Sequence, residues 1–461
     1  MTVSQQTFEL SPLTAINPLD GRYFDRLTEL APIVSEFGYI KARIEVETKF
    51  LVALSQAGVV RPFTKKETDY LLSFSKNINL DLAQEVKTVE TELRHDVKSV
   101  EKVLRRILSE TTLADVIEMI HFGLTSEDVN NLSVRLMLRE GVQKAILPAT
   151  NVILDHLVAL IQQHKALPML ARTHGQAAVP TTLGKELTVF AHRMQREYTK
   201  LESFRLRGKL NGAVGNYNAL RFAYPQVNWI EVSHRFIASL CFEANDFTTQ
   251  ISPYEDIIEY LQMIHRLNGI VRDFDEDIWR YISDDWFTQE AKKNEVGSST
   301  MPQKVNPIDF ENSEGNSELA NALIDGITRE LAVSRLQRDL TDSTVLRNLG
   351  TILGYTLLAL KSTMIGLGRI RANERVIRER LDGDWSILTE GVQTILRRDG
   401  FEDPYTLVKS LSRGKKITKQ EWEEWISTLP VTEKQRREIR SLTPETYLGY
   451  AVELCDEFLK K

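Results

Sequence analysis

An all-α fold of long helices is the class this sequence predicts, and three observations carry it. Apolar residues recur at helical spacing through most of the 461 residues, in some runs far longer than the usual ~11–12 residues of a helix. Alternating strand patterns are sparse. Capping boxes stand where several helical patterns begin, at Thr64–Glu67, Thr418–Glu421 and Thr432–Gln435; in each, the hydroxyl and the third residue's side chain both satisfy a backbone N–H. The expected division is a helical domain over residues 1–115, a central domain over 116–366 with five long helices in a bundle, and a domain of shorter, charged helices over 367–461.

The elements follow in chain order. Residues 12–26 form a turn-rich entry, with Pro18, Asp20 and Gly21 ahead of Arg22 and Tyr23. Ile33, Phe37, Ile40, Ile44, Leu51 and Leu54 then make one face of a helix, and Thr64 opens the next. A further helix is expected from near Thr91, since Leu93, Val97, Val100, Leu104 and Ile107 form its stripe; this places Arg94, His95 and Asp96 in its first turns. Thr125-Ser126-Glu127-Asp128 starts a run reaching His164, interrupted only by Gly141 and Pro148. Pro168 to Pro180 reads as a break, and Leu183 to Leu201 as a second long helix. Residues 219–253 look least regular, and a third long helix is expected from about Tyr254 to Ala291. Two more follow, the last (Val345 to Leu367) apolar nearly all round and therefore central. Thr443-Pro444 places proline at a first helical position.

Composition narrows the function. Hydrophobic residues at 42% and charged residues at 26% describe an ordinary globular chain. A net charge of −6 argues against a general nucleic-acid or membrane-surface binder, so an anionic substrate needs local clusters of Arg, Lys and His. Cys241 and Cys455 suit neither a disulfide framework nor a metal site. The N-terminus lacks a basic region followed by an apolar one, so no signal peptide is expected. The longest uncharged run, between Arg347 and Lys361, is shorter than the ~20 residues of a membrane span. The expectation is a cytoplasmic protein.

Chemistry is sought in the polar breaks, where rigid flanking elements hold side chains in place. The stretch Asn294 to Asn316 holds Gly297, two serines, Pro302, Pro307, Lys304 and Asn306. Hydroxyls, a fixed positive charge and glycine suit an anion-handling loop. His174 lies in A-R-T-H-G-Q, where Thr173 and Gln176 can orient an imidazole and Gly175 permits close approach. His95 in R-H-D-V-K offers, with Arg94 and backbone N–H groups, an anion site. Ser126 can cap a helix while Thr125 presents its hydroxyl. Arg338, Ser343 and Arg347 combine two guanidiniums with a hydroxyl; they either clamp a phosphate or carboxylate or merely pair with Asp339 and Asp342.

G-S-S-T-M-P-Q-K-V-N-P resembles the signature of the fumarase/aspartase superfamily. D-G-R-Y, R-H-D-V-K, T-S-E-D-V-N-N, A-R-T-H-G-Q, N-G-A-V-G-N-Y-N, T-T-Q-I and Q-R-D-L-T-D-S-T-V-L-R are similar, from end to end, to the adenylosuccinate lyase branch. Gln303 departs from the branch pattern. The resemblance implies β-elimination of fumarate from two nucleotide substrates, with Ser298 as general base, His174 as general acid, and Lys304 and Asn306 at the charge that develops. It implies substrate contacts for Arg22, Tyr23, Arg94, His95, Asp96, Thr125, Ser126, Gln250, Asn312, Arg338, Ser343 and Arg347. No metal or organic cofactor is implied. It also implies a homotetrameric helical core whose sites draw Thr125/Ser126, His174 and Ser298 from three chains. Another fumarate-releasing lyase of the superfamily (argininosuccinate lyase, fumarase), or a non-catalytic structural homologue, remains open on the sequence alone.

Overall fold

A computed structural model of the protein describes residues 9–291, 300–412 and 414–460. The chain is all-α; among the described residues its strands are short and pair only into two-stranded sheets. The helices that position the candidate site are α1 (Glu36–Gln56), α2 (Lys65–Phe74), α3 (Leu80–Leu93), α4 (Asp96–Ser109), α5 (Ser126–Gly141), α6 (Leu147–His164), α7 (Leu183–Ser203), α8 (Trp229–Ser239), α9 (Glu255–Ser283), α10 (Ile308–Leu331) and α11 (Leu349–Leu367). Strands β1 (Pro168–Thr173) and β2 (Gln176–Thr182) form an antiparallel hairpin; β3 (Phe287–Gln289) pairs antiparallel with β4 (Ile370–Ala372). By contacts the chain divides into two discontinuous units, one of residues 1–150, 197–269 and 315–361, the other of 151–196, 270–314 and 362–461.

Where capping chemistry was explicit, the boundaries fall as expected. Thr64, Thr418 and Thr432 each close a full capping box with Glu67, Glu421 and Gln435. The run from Ser126 to His164 passes Gly141 and Pro148 through one π-helical turn, Val142–Ile146. A wider turn there accommodates the N–H that proline lacks. In the first unit α11 is buried on nearly every side as far as Leu360, as its uniform apolarity predicted. Ser126–His164 and Thr341–Leu367 are apolar and long enough to cross a membrane, but 50% and 67% of their most apolar windows is buried inside the protein, which is how core helices pass the same test.

Elsewhere the boundaries differ from expectation, each for a local reason. The helix expected from Thr91 is two: α3 ends at Arg94, whose φ of 54° is left-handed, and α4 starts at Asp96 with His95 as its cap. Residues 219–253 include two helices, Asn218–Ala223 and α8. Helix α9 stops at Ser283, eight residues before Ala291, because Asp285 takes a φ of 61° and the chain turns into β3. Proline at 444 opens a turn held by Thr443 and Thr446 (3.2 Å) and not a helix; the next helix starts only at Ala451. The stretch ending at Asn316 is helical from Ile308, since Pro307 stands immediately before the first turn, where its missing N–H costs nothing. The break at Pro168–Pro180 is the β1–β2 hairpin.

Candidate active site

In the first unit, Ser343 and Arg347, two of the residues expected to hold substrate, line a cavity of about 110 Å³ together with Glu36, Tyr39, Glu127 and Asn130 among others. Asp96 is tied to Arg43 (2.5 Å) and faces Arg347 (3.7 Å). Burial by itself would raise the Asp96 pKa, but Arg43, the Val97 N–H and Arg347 together hold it below the usual carboxylate value. Arg43 is buried, donates to Asn130 (2.9 Å), and lies 3.7 Å from the Tyr39 ring centroid. Burial pushes the Tyr39 hydroxyl up to about 12.

Across the cavity wall, Arg338 pairs with Glu127 at 2.9 Å and reaches the Gln250 side chain at 3.5 Å. Its Nε is buried and has no hydrogen-bond partner among the described residues. Burial raises the Glu127 pKa although Arg338 opposes this. Arg347 pairs with Glu36 at 3.1 Å. The purely structural alternative for these arginines therefore fails in its stated form: Asp339 is taken by Arg335 (3.3 Å), and Asp342 by the Tyr254 hydroxyl (2.7 Å). Both guanidiniums are paired instead with Glu127 and Glu36, two carboxylates that line the cavity.

Replacing Arg338 or Arg347 with alanine is expected to raise KM by ~10–100-fold with a smaller change in kcat, the scale of a lost charge-assisted hydrogen bond of ~1.5–3 kcal/mol. Steady-state kinetics on folded variants checks this; unchanged KM in both makes the pair structural.

Next in the chain to Glu127, which lines the cavity, Asp128 enters a buried ion pair. Asp128 accepts the backbone N–H groups of Thr125 (2.9 Å), Asn211 (3.0 Å) and Gly212 (3.1 Å), and meets Lys209 Nζ at 3.1 Å with both side chains at 0% exposure. Lys209 Nζ also donates to the carbonyls of Gly212 and Gln250, each at 2.8 Å. One buried cation thus ties the start of α5, which carries Thr125 and Ser126, to the segment carrying Gln250. Thr125, rather than Ser126, is the N-cap of α5. Just before it, His121 takes a φ of 60° and its Nδ1 lies 2.6 Å from buried Glu47. Burial works against the His121 imidazolium, but the Glu47 bond outweighs it and the pKa is raised.

The other substrate candidates of this unit lie further out. Arg22 is exposed, with its guanidinium 5.9 Å from the Tyr23 ring centroid. Their segment borders a second cavity that shares Val34, Ser35, Glu36, Arg347 and Gly350 with the first. Arg94 is exposed, and His95 spends Nδ1 on the Lys98 N–H (3.2 Å).

The candidate acid and charge-stabilising residues belong to the second unit. His174 and Gly175 are the two loop residues of the β1–β2 hairpin, with φ of 53° and 72°. A two-residue turn with both φ positive is type I′, whose twist matches that of the strands it joins. Glycine takes this conformation freely; His174 takes it at some cost. The result is an exposed imidazole at a rigid tip. Arg172 braces the hairpin through the Gly175 carbonyl (3.3 Å) and Asp284 (3.3 Å). Lys304 is exposed, its N–H turned back onto the Met301 carbonyl (3.2 Å), and Asn306 is half-buried two residues before α10. Asn312 sits on α10, accepting the Ser362 hydroxyl at 2.7 Å. Ser298 lies outside the described residues.

Sequence reasoning missed Tyr39, Arg43, Asp128, Lys209 and Tyr254. Arg43 and Glu47 had a readable signal: both fall on the apolar face that Ile40, Ile44 and Leu51 define, where an ionised side chain must be paired. Lys209 and Tyr254 had none, because the carboxylates they meet, Asp128 and Asp342, are distant in sequence.

A long-helix scaffold with a guanidinium- and hydroxyl-lined cavity defines the class, a helical lyase: residues 21–320 match the family described as lyase, and residues 334–448 match the adenylosuccinate lyase C-terminal family. The chain belongs to the adenylosuccinate lyase family. It is 45% identical to the adenylosuccinate lyase of Haemophilus influenzae over 97% of this chain and 99% of that one. Identity is 44% to the Escherichia coli K12 enzyme, again over 97% and 99%, and 42% to that of Dictyostelium discoideum over 96% and 97%. Among solved structures, a fumarate lyase from Mesorhizobium sp. BNC1 superposes with a TM-score of 0.74 at 17% identity, covering 95% of this chain and 97% of that one. The 3-carboxy-cis,cis-muconate lactonizing enzyme of Pseudomonas putida gives 0.73 at 18%, covering 95% and 98%. These two share the fold.

Proposed function

We propose that the protein cleaves adenylosuccinate to AMP and fumarate, and the succinyl-aminoimidazole carboxamide ribotide to its free carboxamide and fumarate, in purine nucleotide synthesis. The observation that carries the reading is the cavity lined by Ser343 and Arg347, with Asp96 at 3.7 Å from that arginine, in a chain 45% identical over nearly its whole length to a named adenylosuccinate lyase.

The reaction is a β-elimination. Ser298 takes the proton from the carbon next to a carboxylate, which gathers a second negative charge. Lys304 and Asn306 stabilise that charge; without such donors no side-chain base reaches the proton. The C–N bond then breaks, its electron pair leaves with the nitrogen, and His174 protonates that nitrogen. Ser298 is weakly basic by itself and is activated by the positive charge beside it as water is excluded. Arg22, Tyr23, Arg94, His95, Asp96, Thr125, Ser126, Gln250, Asn312, Arg338, Ser343 and Arg347 hold the substrate, the arginines on its phosphate and carboxylates.

The rest of the reading concerns assembly and place. The protein works as a cytoplasmic homotetramer, each site drawing Thr125/Ser126, His174 and Ser298 from three chains, with the domain division at about residues 115 and 366. It engages neither nucleic acid nor membrane.

Presenting the folded protein with adenylosuccinate, argininosuccinate and malate in parallel tests the substrate. Fumarate is expected from the first alone. Fumarate from either of the others, with adenylosuccinate untouched, would move the protein to another branch, and none from any would make it a non-catalytic relative.

A further inference from the structure

Arg369 is a buried arginine, 7% exposed, between α11 and β4. It touches both ends of the segment that carries Lys304 and Asn306. At the leading end its Nε and Nη2 donate to the Glu290 carbonyl at 3.3 and 3.2 Å, while its own carbonyl accepts the Glu290 N–H at 2.8 Å. At the trailing end its Nη1 donates to the Asp309 carboxylate at 3.2 Å, in the first turn of α10.

Neighbouring contacts make this a joint. β3, which ends at Gln289, pairs with β4, so residues 289 and 370 are in register. The Gln289 amide donates to the Val305 carbonyl at 3.1 Å, between Lys304 and Asn306. Phe310 packs so closely on Gly366 that a Cβ there would lie 2.7 Å from its ring. Ser362 donates to Asn312. The end of α11 and the start of β4 thus form the base on which residues 290 and 309 are fixed.

We propose that Arg369 is a positioning residue: by fastening residue 290 to residue 309 it sets where Lys304 and Asn306 are presented. The proposal rests on the role given to those two residues above. An arginine suits the task because its planar fork offers several donors in fixed directions, so it grips a carbonyl and a carboxylate together. A lysine ammonium has no such fork. A misplacement of ~1 Å is enough to cost ~10²-fold in rate.

The test compares Arg369→Met, Arg369→Lys, Asp309→Asn and Lys304→Ala with wild type, adenylosuccinate being the substrate. Arg369→Met is expected to lower kcat by ~10–100-fold with KM changed by less than about threefold, as for loss of transition-state placement. Asp309→Asn, which loosens one end only, should fall in the same direction by less, and Arg369→Lys should lie between. In a further variant, Arg369→Ala, which leaves room for the missing group, low millimolar ethylguanidinium should restore part of the kcat, whereas general destabilisation would not respond. Wild-type kcat in folded Arg369→Met and Asp309→Asn would overturn the proposal, as would a kcat loss that merely tracks loss of folded protein and resists rescue. If Lys304→Ala is impaired while the Arg369 variants are not, the joint fails alone; if Lys304→Ala keeps wild-type kcat, the underlying role of Lys304 fails instead.

Discussion

Replacing Ser298 with alanine is expected to lower kcat by ~10²–10⁴-fold, the range for losing a general base, with KM changed far less. The expectation follows from what each part of the chain is asked to do. In the proposed reaction, binding is the task of arginines and hydroxyls that Ser298→Ala leaves unchanged, whereas proton removal would fall to the serine alone and the charge it creates to Lys304 and Asn306. Stopped-flow absorbance at saturating substrate, where the chemical step is seen directly, is the check. A variant keeping more than about a tenth of wild-type rate would take the base assignment away from Ser298.

Lys209→Met is expected to be the most destabilising single change in the first unit. It removes the cation from a pair at 3.1 Å whose members are both at 0% exposure and leaves the Asp128 carboxylate buried beside three backbone N–H donors only. Breaking a buried pair this way costs ~3–5 kcal/mol, a large part of the ~5–15 kcal/mol by which a domain is stable. Two carbonyls, of Gly212 and Gln250, lose their donor as well. The thermal or urea midpoint reads the loss. The double variant Lys209→Met, Asp128→Asn should recover part of it, since no lone carboxylate is then buried. A single variant as stable as wild type would show that the pair does not hold these segments.

How much was legible in the sequence depended on how local the determining physics was. Capping boxes at Thr64, Thr418 and Thr432 were readable because donor and acceptor lie within four residues. Arg338 and Arg347 were readable as a pair, but not their partners Glu127 and Glu36, which are far away in the chain. The hairpin at His174 was hidden by its own chemistry. Histidine is an unusual first residue for a type I′ turn, and Pro168 and Pro180 within the strands read as breaks. The division of the Thr91 helix at Arg94 was hidden likewise, since a left-handed arginine carries no signal of its conformation. The gripping of Glu290 and Asp309 by Arg369 joins three separate parts of the chain and had no local trace.

The central claim is that the protein makes and breaks a C–N bond by moving a proton on the adjacent carbon. Running the reaction in reverse tests it most directly, because the forward and reverse paths share one transition state. AMP and fumarate are incubated with the protein in D₂O, and the adenylosuccinate formed is analysed by mass spectrometry after its exchangeable sites are returned to hydrogen. Adenylosuccinate with a single carbon-bound deuterium is expected, on the succinyl carbon next to the one bonded to nitrogen, and none formed by Ser298→Ala in the same time. Adenylosuccinate without carbon-bound deuterium, or no adenylosuccinate from the folded wild-type protein, would contradict it.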